Sequence, residues 1–205
     1  TRRLPDLKER HLPENCRETI NTILKETYGY EQFRNLEIYD DLSKGKEKLC
    51  ISQGQLIENV ILEAEKAWKG ETQVDNILLT APTGSGKSLL FQLPAIYLGK
   101  EYNLLTIVVS PLKALIVDQV ESLQELGYTR VAYASSDLSP EQKMEVYRQV
   151  REGEIDLFYL SPELLLSYDI KHFVGERRIG LVVVDEAHTV TTWGKEFRVD
   201  YWFLG

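Results

Sequence analysis

The chain has 205 residues, 43% of them hydrophobic and 27% charged, which is typical of a globular domain with one sizeable core. No apolar run reaches transmembrane length and no signal peptide is visible, so the sequence disfavours membrane-spanning and secreted classes. A net charge of −8 argues against bulk electrostatic attraction to nucleic acid and leaves room only for a local basic or aromatic track. Cys16 and Cys50 lack metal-ligand spacing and are typical of reduced thiols in an intracellular protein.

Residues 1–75 predict a helical N-terminal segment. Apolar residues from Cys16 to Leu24 recur with helical spacing, and a second helical rhythm runs from Gln55 to Trp68. The polar stretch 40–46 between them is typical of a solvated turn.

Residues 76–205 predict an α/β domain of alternating strands and helices. Apolar β-type runs lie at 77–80, 104–109, 131–134, 155–160 and 179–184. Helical patterns separate them at 89–98, 114–126 and 141–150, with a weaker one near 164–174. This alternation predicts a mostly parallel sheet with helices on both faces and all strand carboxyl ends at one edge.

A glycine-rich turn lies between the first β-type run and the first helix, and is typical of a phosphate-binding loop. It reads Ala-Pro-Thr-Gly-Ser-Gly-Lys-Ser over 81–88, with alanine in place of the usual first glycine. Lys87 is expected to reach the β- and γ-phosphates of a nucleotide, and the Ser88 hydroxyl to bind Mg²⁺. Backbone groups complete the predicted cradle, which comprises Pro82, Thr83, Gly84, Ser85 and Gly86. A chance Gly/Ser turn is the alternative, but the spacing and the flanking elements disfavour it.

Two adjacent carboxylates end the last β-type run, in the sequence Asp-Glu-Ala-His over 185–188. The pair follows four residues of buried type, where a charge without a role would cost free energy. A chemical role is therefore favoured over a position on the solvated surface. Asp185 is expected on the magnesium side, and Glu186 as the base or orienter of the attacking water. His188 is a candidate coupling residue because of its place in this motif. Together with the phosphate loop, the pair predicts a nucleoside triphosphatase.

With these motifs in order, the chain resembles the first motor domain of superfamily 2 helicases, and within them the RecQ family. The matching segments are 81–95 for motif I, 110–119 for motif Ia, 157–164 for motif Ib, 185–188 for the DEAH box and 193–201 for the aromatic-rich loop. The resemblance covers roughly residues 28–205. It implies a RecA-like P-loop NTPase fold, ATP and Mg²⁺ as cofactors, and 3′–5′ movement on single-stranded or partly duplex DNA. It also implies an intracellular location, in the cytoplasm or with the nucleoid or nucleus.

Residues 28–34 resemble the start of the RecQ adenine-recognition motif. The family runs directly into a Gly-Gln step, whereas here the best match is Gly54-Gln55, so 35–53 are interpreted as an insertion. Gln55 is then expected to read the adenine edge while Tyr30 or Arg34 stacks on the ring. Gln53 is the competing glutamine, and core packing is the alternative role for Tyr30.

Polar residues after two predicted strands are candidates for contact with nucleic-acid phosphates: Ser110, Lys113 and Ser161. Turn formation and helix capping are their alternative roles. Trp193 and Phe197 are expected to stack on bases, with a hydrophobic cluster as the alternative. Arg198 lies beside them as a further candidate. Lys195 stands where the family usually has histidine.

A helicase of this type needs a second motor domain to close on the nucleotide. None is visible, so the chain is expected to be a piece of a longer protein that binds ATP weakly on its own. An RNA helicase of the same superfamily and a non-motor ATP-binding switch remain alternative functions.

Overall fold

A computed structural model describes residues 12–39, 48–79 and 84–186. The chain divides into two compact units, an N-terminal unit Thr1–Tyr97 and a C-terminal unit Leu98–Gly205. The predicted domain boundary at 75/76, which follows the motifs, stays a prediction.

The N-terminal unit contains two helices, a hairpin and most of a third helix. These are α1 (Glu18–Tyr28), β1 (Asn35–Tyr39), β2 (Lys48–Ser52), α2 (Gln53–Trp68) and α3 (Leu89–Tyr102), the last of which runs past the unit boundary. Helix α1 ends at Gly29, which has the left-handed φ of 69° that glycine adopts without strain. Both helices predicted upstream of the phosphate loop are therefore present.

The inserted segment forms an antiparallel hairpin. Strands β1 and β2 pair from Asn35 opposite Ser52 to Tyr39 opposite Lys48. At the hairpin base the Gln53 amide donates to the Arg34 carbonyl oxygen at 2.9 Å. The chain thus leaves after Arg34 and returns at Gln53, so the insertion ends at Ser52. The predicted turn at 40–46 lies outside the described residues.

A polar network around Arg17 joins distant segments of the N-terminal unit. Its guanidinium lies 2.6 Å from both Glu58 and Glu65, and donates to the Tyr97 hydroxyl at 2.5 Å. Burial opposes the charge of Arg17, but these hydrogen bonds outweigh burial and raise its pKa. Burial beside Glu58 also raises the pKa of the Cys16 thiol to about 12, so this cysteine is an inert thiol at neutral pH.

The C-terminal unit is a parallel four-stranded sheet with helices around it. Its elements are β3 (Leu105–Val109), α4 (Lys113–Glu125), β4 (Val131–Ala134), α5 (Pro140–Arg151), β5 (Leu157–Leu160), α6 (Pro162–Ser167), α7 (Ile170–Val174) and β6 (Ile179–Val184). The strand order is β4-β5-β3-β6, with every neighbouring pair parallel. All residues of β3 and β5 are buried, as central strands of a parallel sheet are. The predicted α/β architecture is confirmed.

One predicted strand does not form over its described residues. Positions 77–79 have no strand conformation, and Leu78 is 66% exposed. A strand exists through ladder hydrogen bonds to a neighbour, and the described residues 73–79 belong to no ladder. An apolar run alone therefore predicted a strand that the backbone pairing does not support.

Candidate functional site

The described part of the phosphate loop, residues 84–88, leads straight into helix α3. Gly84 and Gly86 have φ of 79° and 78°, a conformation that other L-residues adopt only with strain. The Leu89 and Leu90 amides donate to the carbonyl oxygens of Gly86 and Lys87 at 3.2 and 3.0 Å. The loop therefore ends in a helix N-terminus, which favours bound anions. Pro82 and Thr83 lie outside the described residues.

Gln53 fixes the orientation of this loop. Its side-chain Nε2 donates to the Ser85 carbonyl oxygen at 3.1 Å, and the residue is 2% exposed. A Cβ at Gly86 would lie 2.7 Å from that nitrogen, so the close approach depends on glycine. Because the peptide bond is trans, the Gly86 N–H points opposite to the Ser85 carbonyl and hence away from Gln53. By holding the Ser85 carbonyl, Gln53 sets the direction in which the Gly86 N–H points.

The same glutamine reaches the adenine-side segment, whereas Gln55 does not. Gln53 Oε1 accepts from the Arg34 amide at 3.2 Å. Gln55 instead completes the capping box of α2, accepting from the Ser52 amide at 3.0 Å, while its Nε2 donates to the Pro13 carbonyl oxygen. These contacts favour Gln53 over Gln55 as the glutamine of the nucleotide site. The β-type run before Ser52 was the sequence signal that could have placed the helix start at Gln53.

The aromatic residues of the adenine-side segment differ in exposure. Phe33 packs on the helix start, since a Cβ at Gly54 would lie 2.7 Å from its ring. Tyr30 is 51% exposed and stacks on Tyr28, with ring centroids 6.4 Å apart. Arg34 is also exposed. Both side chains predicted to stack on adenine are thus accessible, and the stacking itself stays a prediction.

The sheet of the C-terminal unit aligns four strand ends in one row. The ladders pair the last strand residues with one another: Val109 with Leu160 and Val184, and Ala134 with Leu160. The next residues along the chain therefore share the carboxyl edge, and they are Ser110, Ser135, Ser161 and Asp185. Sequence reasoning missed Ser135, although the Ser-Ser-Asp step after β4 was visible.

The first of the two carboxylates after the row's last strand is held by the backbone of the second. Asp185 Oδ1 accepts from the Glu186 amide at 2.9 Å, and both residues are half-buried. Glu186 has a φ of 50°, a left-handed conformation that is rare for a non-glycine residue and is enriched at functional sites. The predicted partners further along the chain, His188, Trp193, Phe197 and Arg198, lie outside the described residues.

Ser110 and Ser161 are almost fully buried at this edge. The Ser110 hydroxyl has no hydrogen-bond partner among the described residues, and the Ser161 side chain makes no capping bond to α6. The capping alternative is therefore not realised for Ser161. Lys113 begins α4, and its Nζ lies 2.9 Å from Asp137 in the loop after β4. Hydrogen bonding from Lys113 lowers the pKa of Asp137, a residue that the sequence analysis did not single out.

Comparison with protein families identifies residues 55–203 with the DEAD/DEAH box helicase model. The chain belongs to the DEAD/DEAH box helicase family. It is similar to the ATP-dependent DNA helicases RecQ of Haemophilus influenzae and Synechocystis sp., with 30% identity over 187 residues and 34% over 191. These alignments cover 91% and 92% of this chain but 25% and 33% of the relatives. The chain thus spans about a quarter to a third of their length.

Solved structures support the same fold for this helicase domain. A crystal structure of the DUF1998 helicase MrfA bound to DNA and AMPPNP matches with a TM-score of 0.52 and 22% identity, over 88% of this chain and 22% of that one. At this identity the match shows the fold alone. The prediction of a RecQ-like first motor domain with a RecA-like fold is confirmed by the family match and the RecQ relatives together.

The described residues contain neither a ready-made metal cluster nor a helix of membrane-spanning character. Within 12–39, 48–79 and 84–186, no group of three His, Cys, Asp or Glu side chains could hold a metal ion. The assignment of Mg²⁺ to Ser88 and Asp185 therefore stays a prediction. In the same residues, no helix has the length and apolarity needed to cross a membrane.

Proposed function

We propose that this chain is the ATP-binding motor half of an ATP-dependent DNA helicase or translocase, moving 3′ to 5′ on single-stranded DNA inside the cell. A second motor domain in the natural-length protein would complete the nucleotide site. The observation that carries the proposal is the carboxyl-edge row, in which Asp185 and Glu186 follow the same sheet as Ser110 and Ser161. The relatives named as ATP-dependent DNA helicases support the choice of DNA.

The phosphate loop fits a nucleotide triphosphate on its own geometry. A Cβ at Gly84 would meet nothing within 4 Å, so the loop is open at that point. The buried Ser85 hydroxyl has no partner among the described residues, and an anion bound in the loop would supply one. Lys87 would bind the β- and γ-phosphates, and Ser88 would offer its hydroxyl to Mg²⁺. Mg²⁺, when bound, neutralises charge on the phosphates.

Glu186 would orient the attacking water, and Asp185 would be the carboxylate on the magnesium side. The hydrogen bond from the Glu186 amide to Asp185 fixes the backbone between them. The separate tasks of the two carboxylates are part of the proposal. His188 then links this strand end to the aromatic loop beyond it.

The nucleic-acid contacts are proposed along the same edge. Ser110, Lys113 and Ser161 bind backbone phosphates, which positions the strand without reading its sequence. Trp193, Phe197 and Arg198 extend these contacts and sense the bound strand. With a net charge of −8, the attraction is local to this track and does not come from the whole surface.

The test is ATP hydrolysis by the protein at its natural length, measured with and without single-stranded DNA. Lys87→Ala is expected to reduce turnover by about two to three orders of magnitude, as loss of a charge-stabilising group does. Glu186→Gln should retain Mg-ATP binding and lose turnover to a similar extent. Lys100→Ala is the matched control, because Lys100 is exposed on α3. Wild-type turnover in Lys87→Ala would rule out the site.

The choice between DNA and RNA is tested in the same assay. Stimulation by single-stranded DNA and not by RNA of the same sequence supports the proposal. Stronger stimulation by RNA would replace it with an RNA helicase. Full activity of Glu186→Gln, or equal loss of nucleotide binding and turnover in that variant, would contradict the roles given to the two carboxylates.

A further inference from the structure

A groove lies between α5 and the α6–α7 segment of the C-terminal unit. Its volume is about 880 Å³, within the range of small-ligand pockets. Tyr147 and Leu164 line its buried side, and Ser161 and Glu163 line the end next to β5. We call this feature the α5–α7 groove. It begins at the carboxyl edge, where the proposed nucleic-acid contacts lie.

An exposed stacked pair of rings lines this groove. The rings of Tyr168 and His172 are nearly parallel, with an interplanar angle of 15° and centroids 4.7 Å apart. His172 in turn meets Tyr147 and Phe173 edge-on at 5.4 Å, so the pair is anchored on core residues. Tyr168 nevertheless remains 50% exposed. A tyrosine held in this way has already lost most of its rotamer freedom and offers a surface for stacking.

Two of the three basic side chains in the groove form no ion pair among the described residues, although the charge of Lys143 contributes to the lowered pKa of Asp137. Lys143 donates to the Ser136 carbonyl oxygen at 3.4 Å, and Arg151 donates to the His172 carbonyl oxygen. Arg148, by contrast, is ion-paired with glutamates on or just beyond its own helix. The cations that remain available are therefore Lys143 and Arg151, on the same helix as each other.

The acids of the groove are mostly engaged with neighbouring groups. Glu145 pairs with Arg148 at 2.7 Å, and Glu141 accepts from the Ser139 hydroxyl at 2.7 Å. Glu163 is exposed, at the end next to Ser161. A carboxylate there disfavours a phosphate and can accept from a base amino group. The groove thus combines a ring platform, two available cations and one acceptor, which matches a nucleotide chain better than an acidic peptide.

We propose that the α5–α7 groove receives an unpaired segment of the bound DNA, with one base stacked on Tyr168 and backbone phosphates beside Lys143 and Arg151. The proposal rests on the proposed function, since it extends the strand that contacts Ser161. It assigns Tyr168, His172, Lys143 and Arg151 to nucleic-acid binding.

The test measures affinity for a labelled oligothymidylate of about 16 nucleotides, using the protein at its natural length and several salt concentrations. Tyr168→Ala should weaken binding about five- to tenfold, which is the lower part of the range for one stacked base. Tyr168→Phe is the matched control and should bind within twofold of wild type. Lys143→Gln should weaken binding and lower the salt slope by about 0.7, the value for one phosphate contact on a single strand.

A crosslinking experiment on the wild-type protein gives a readout that does not depend on folding of a variant. An oligonucleotide with 5-iodouracil should crosslink to the peptide that contains Tyr168. Adducts found only elsewhere, or wild-type affinity in Tyr168→Ala, would overturn the groove assignment while leaving the proposed function intact. If wild type itself neither binds DNA nor shows DNA-stimulated hydrolysis, the proposed function fails first, and the groove proposal fails with it.

Discussion

Both units of this chain bury apolar side chains, but they differ in where their long-range polar contacts lie. In the N-terminal unit, polar side chains join segments far apart in the sequence: Arg17 reaches Glu58, Glu65 and Tyr97, and Gln53 reaches Arg34 and Ser85. In the C-terminal unit, parallel ladders and one apolar cluster around Phe158 and Phe173 hold the elements. Apolar patterns are visible in a sequence, whereas long-range polar pairing is not. The phosphate-binding end is therefore the part whose details only the structure gives.

The C-terminal unit also has a polar clamp, but it lies at the opposite edge of the sheet from Asp185. Asp156, fully buried just before β5, accepts from Arg130 at 2.6 Å, Arg177 at 3.1 Å and the Tyr128 hydroxyl at 3.0 Å. A Cβ at Gly99 would lie 2.4 Å from the Asp156 carboxyl carbon. Helix α3 can therefore lie this close to Asp156 only because position 99 is glycine. The polar contacts at the amino ends of the strands stabilise the sheet, whereas the candidate functional residues lie at the carboxyl ends.

Among the substitutions that test the contrast between the units, Arg17→Met is expected to have the largest effect, on the stability of the N-terminal unit. It leaves Glu58 and Glu65 nearly buried without their counter-charge, which should destabilise the N-terminal unit by about 2–3 kcal/mol after a discount for partial exposure. Amides of α1 and α2 should then exchange with solvent roughly 30- to 150-fold faster, as measured by hydrogen–deuterium exchange.

Arg148→Met is the matched control for this change. Arg148 also pairs with several glutamates, but at 42% side-chain exposure, where such pairs contribute at most about 1 kcal/mol. Its substitution should leave exchange in α5 nearly unchanged. Equal effects of the two substitutions would show that burial does not separate the two networks.

The sequence predicted the C-terminal unit well because its signals are local. The runs 131–134 and 179–184 coincide with β4 and β6, and α5 begins within one residue of its prediction, where Ser139 forms a capping box. The hairpin of 35–52 and the choice of Gln53 were not predicted. Both depend on hydrogen bonds between the two ends of the insertion. The periodicity of a single segment gives no information about such bonds. The described part of the predicted strand, residues 77–79, is not a strand for the converse reason, since an apolar pattern does not supply a ladder partner.

An intermediate effect is expected at the glutamine that joins the adenine-side segment to the phosphate loop. Gln53→Ala removes the bonds to Ser85 and Arg34 and leaves two part-buried backbone groups without these partners. ATP affinity should fall about tenfold, which corresponds to the lower part of the range for a polar group that loses its hydrogen-bond partner. GTP affinity should fall less, if this glutamine also reads the adenine edge.

Gln55→Ala is the paired variant, measured by nucleotide titration of the same protein. It removes the capping box of α2 and should lower stability by about 1 kcal/mol while changing ATP affinity less than twofold. A loss of ATP preference in Gln55→Ala, with Gln53→Ala unchanged, would restore the prediction made from the Gly-Gln step and contradict the contacts described above.

The smallest effect concerns the carboxyl edge, where the C-terminal unit has an ion pair that is exposed, unlike the pairs of Arg17. Lys113, a proposed phosphate contact, is ion-paired with Asp137, and both side chains are well exposed at 42% and 70%. DNA must therefore compete with Asp137 for this lysine. Exposed pairs are weak, so Asp137→Asn should raise affinity for single-stranded DNA only about two- to threefold.

A double-mutant cycle separates this competition from simple loss of a negative charge near DNA. In a Lys113→Met background, Asp137→Asn retains only the general charge effect, so the gain should shrink. The pH dependence has a definite sign: Lys113 lowers the pKa of Asp137, so the ion pair persists above that pKa and is lost only as pH falls through it. Between about pH 6 and 8 the gain should stay constant, because Asp137 remains ionised there. If Asp137→Asn raises DNA affinity as much in the Lys113→Met background as in wild type, Asp137 repels DNA directly. The ion pair then does not compete with DNA for Lys113.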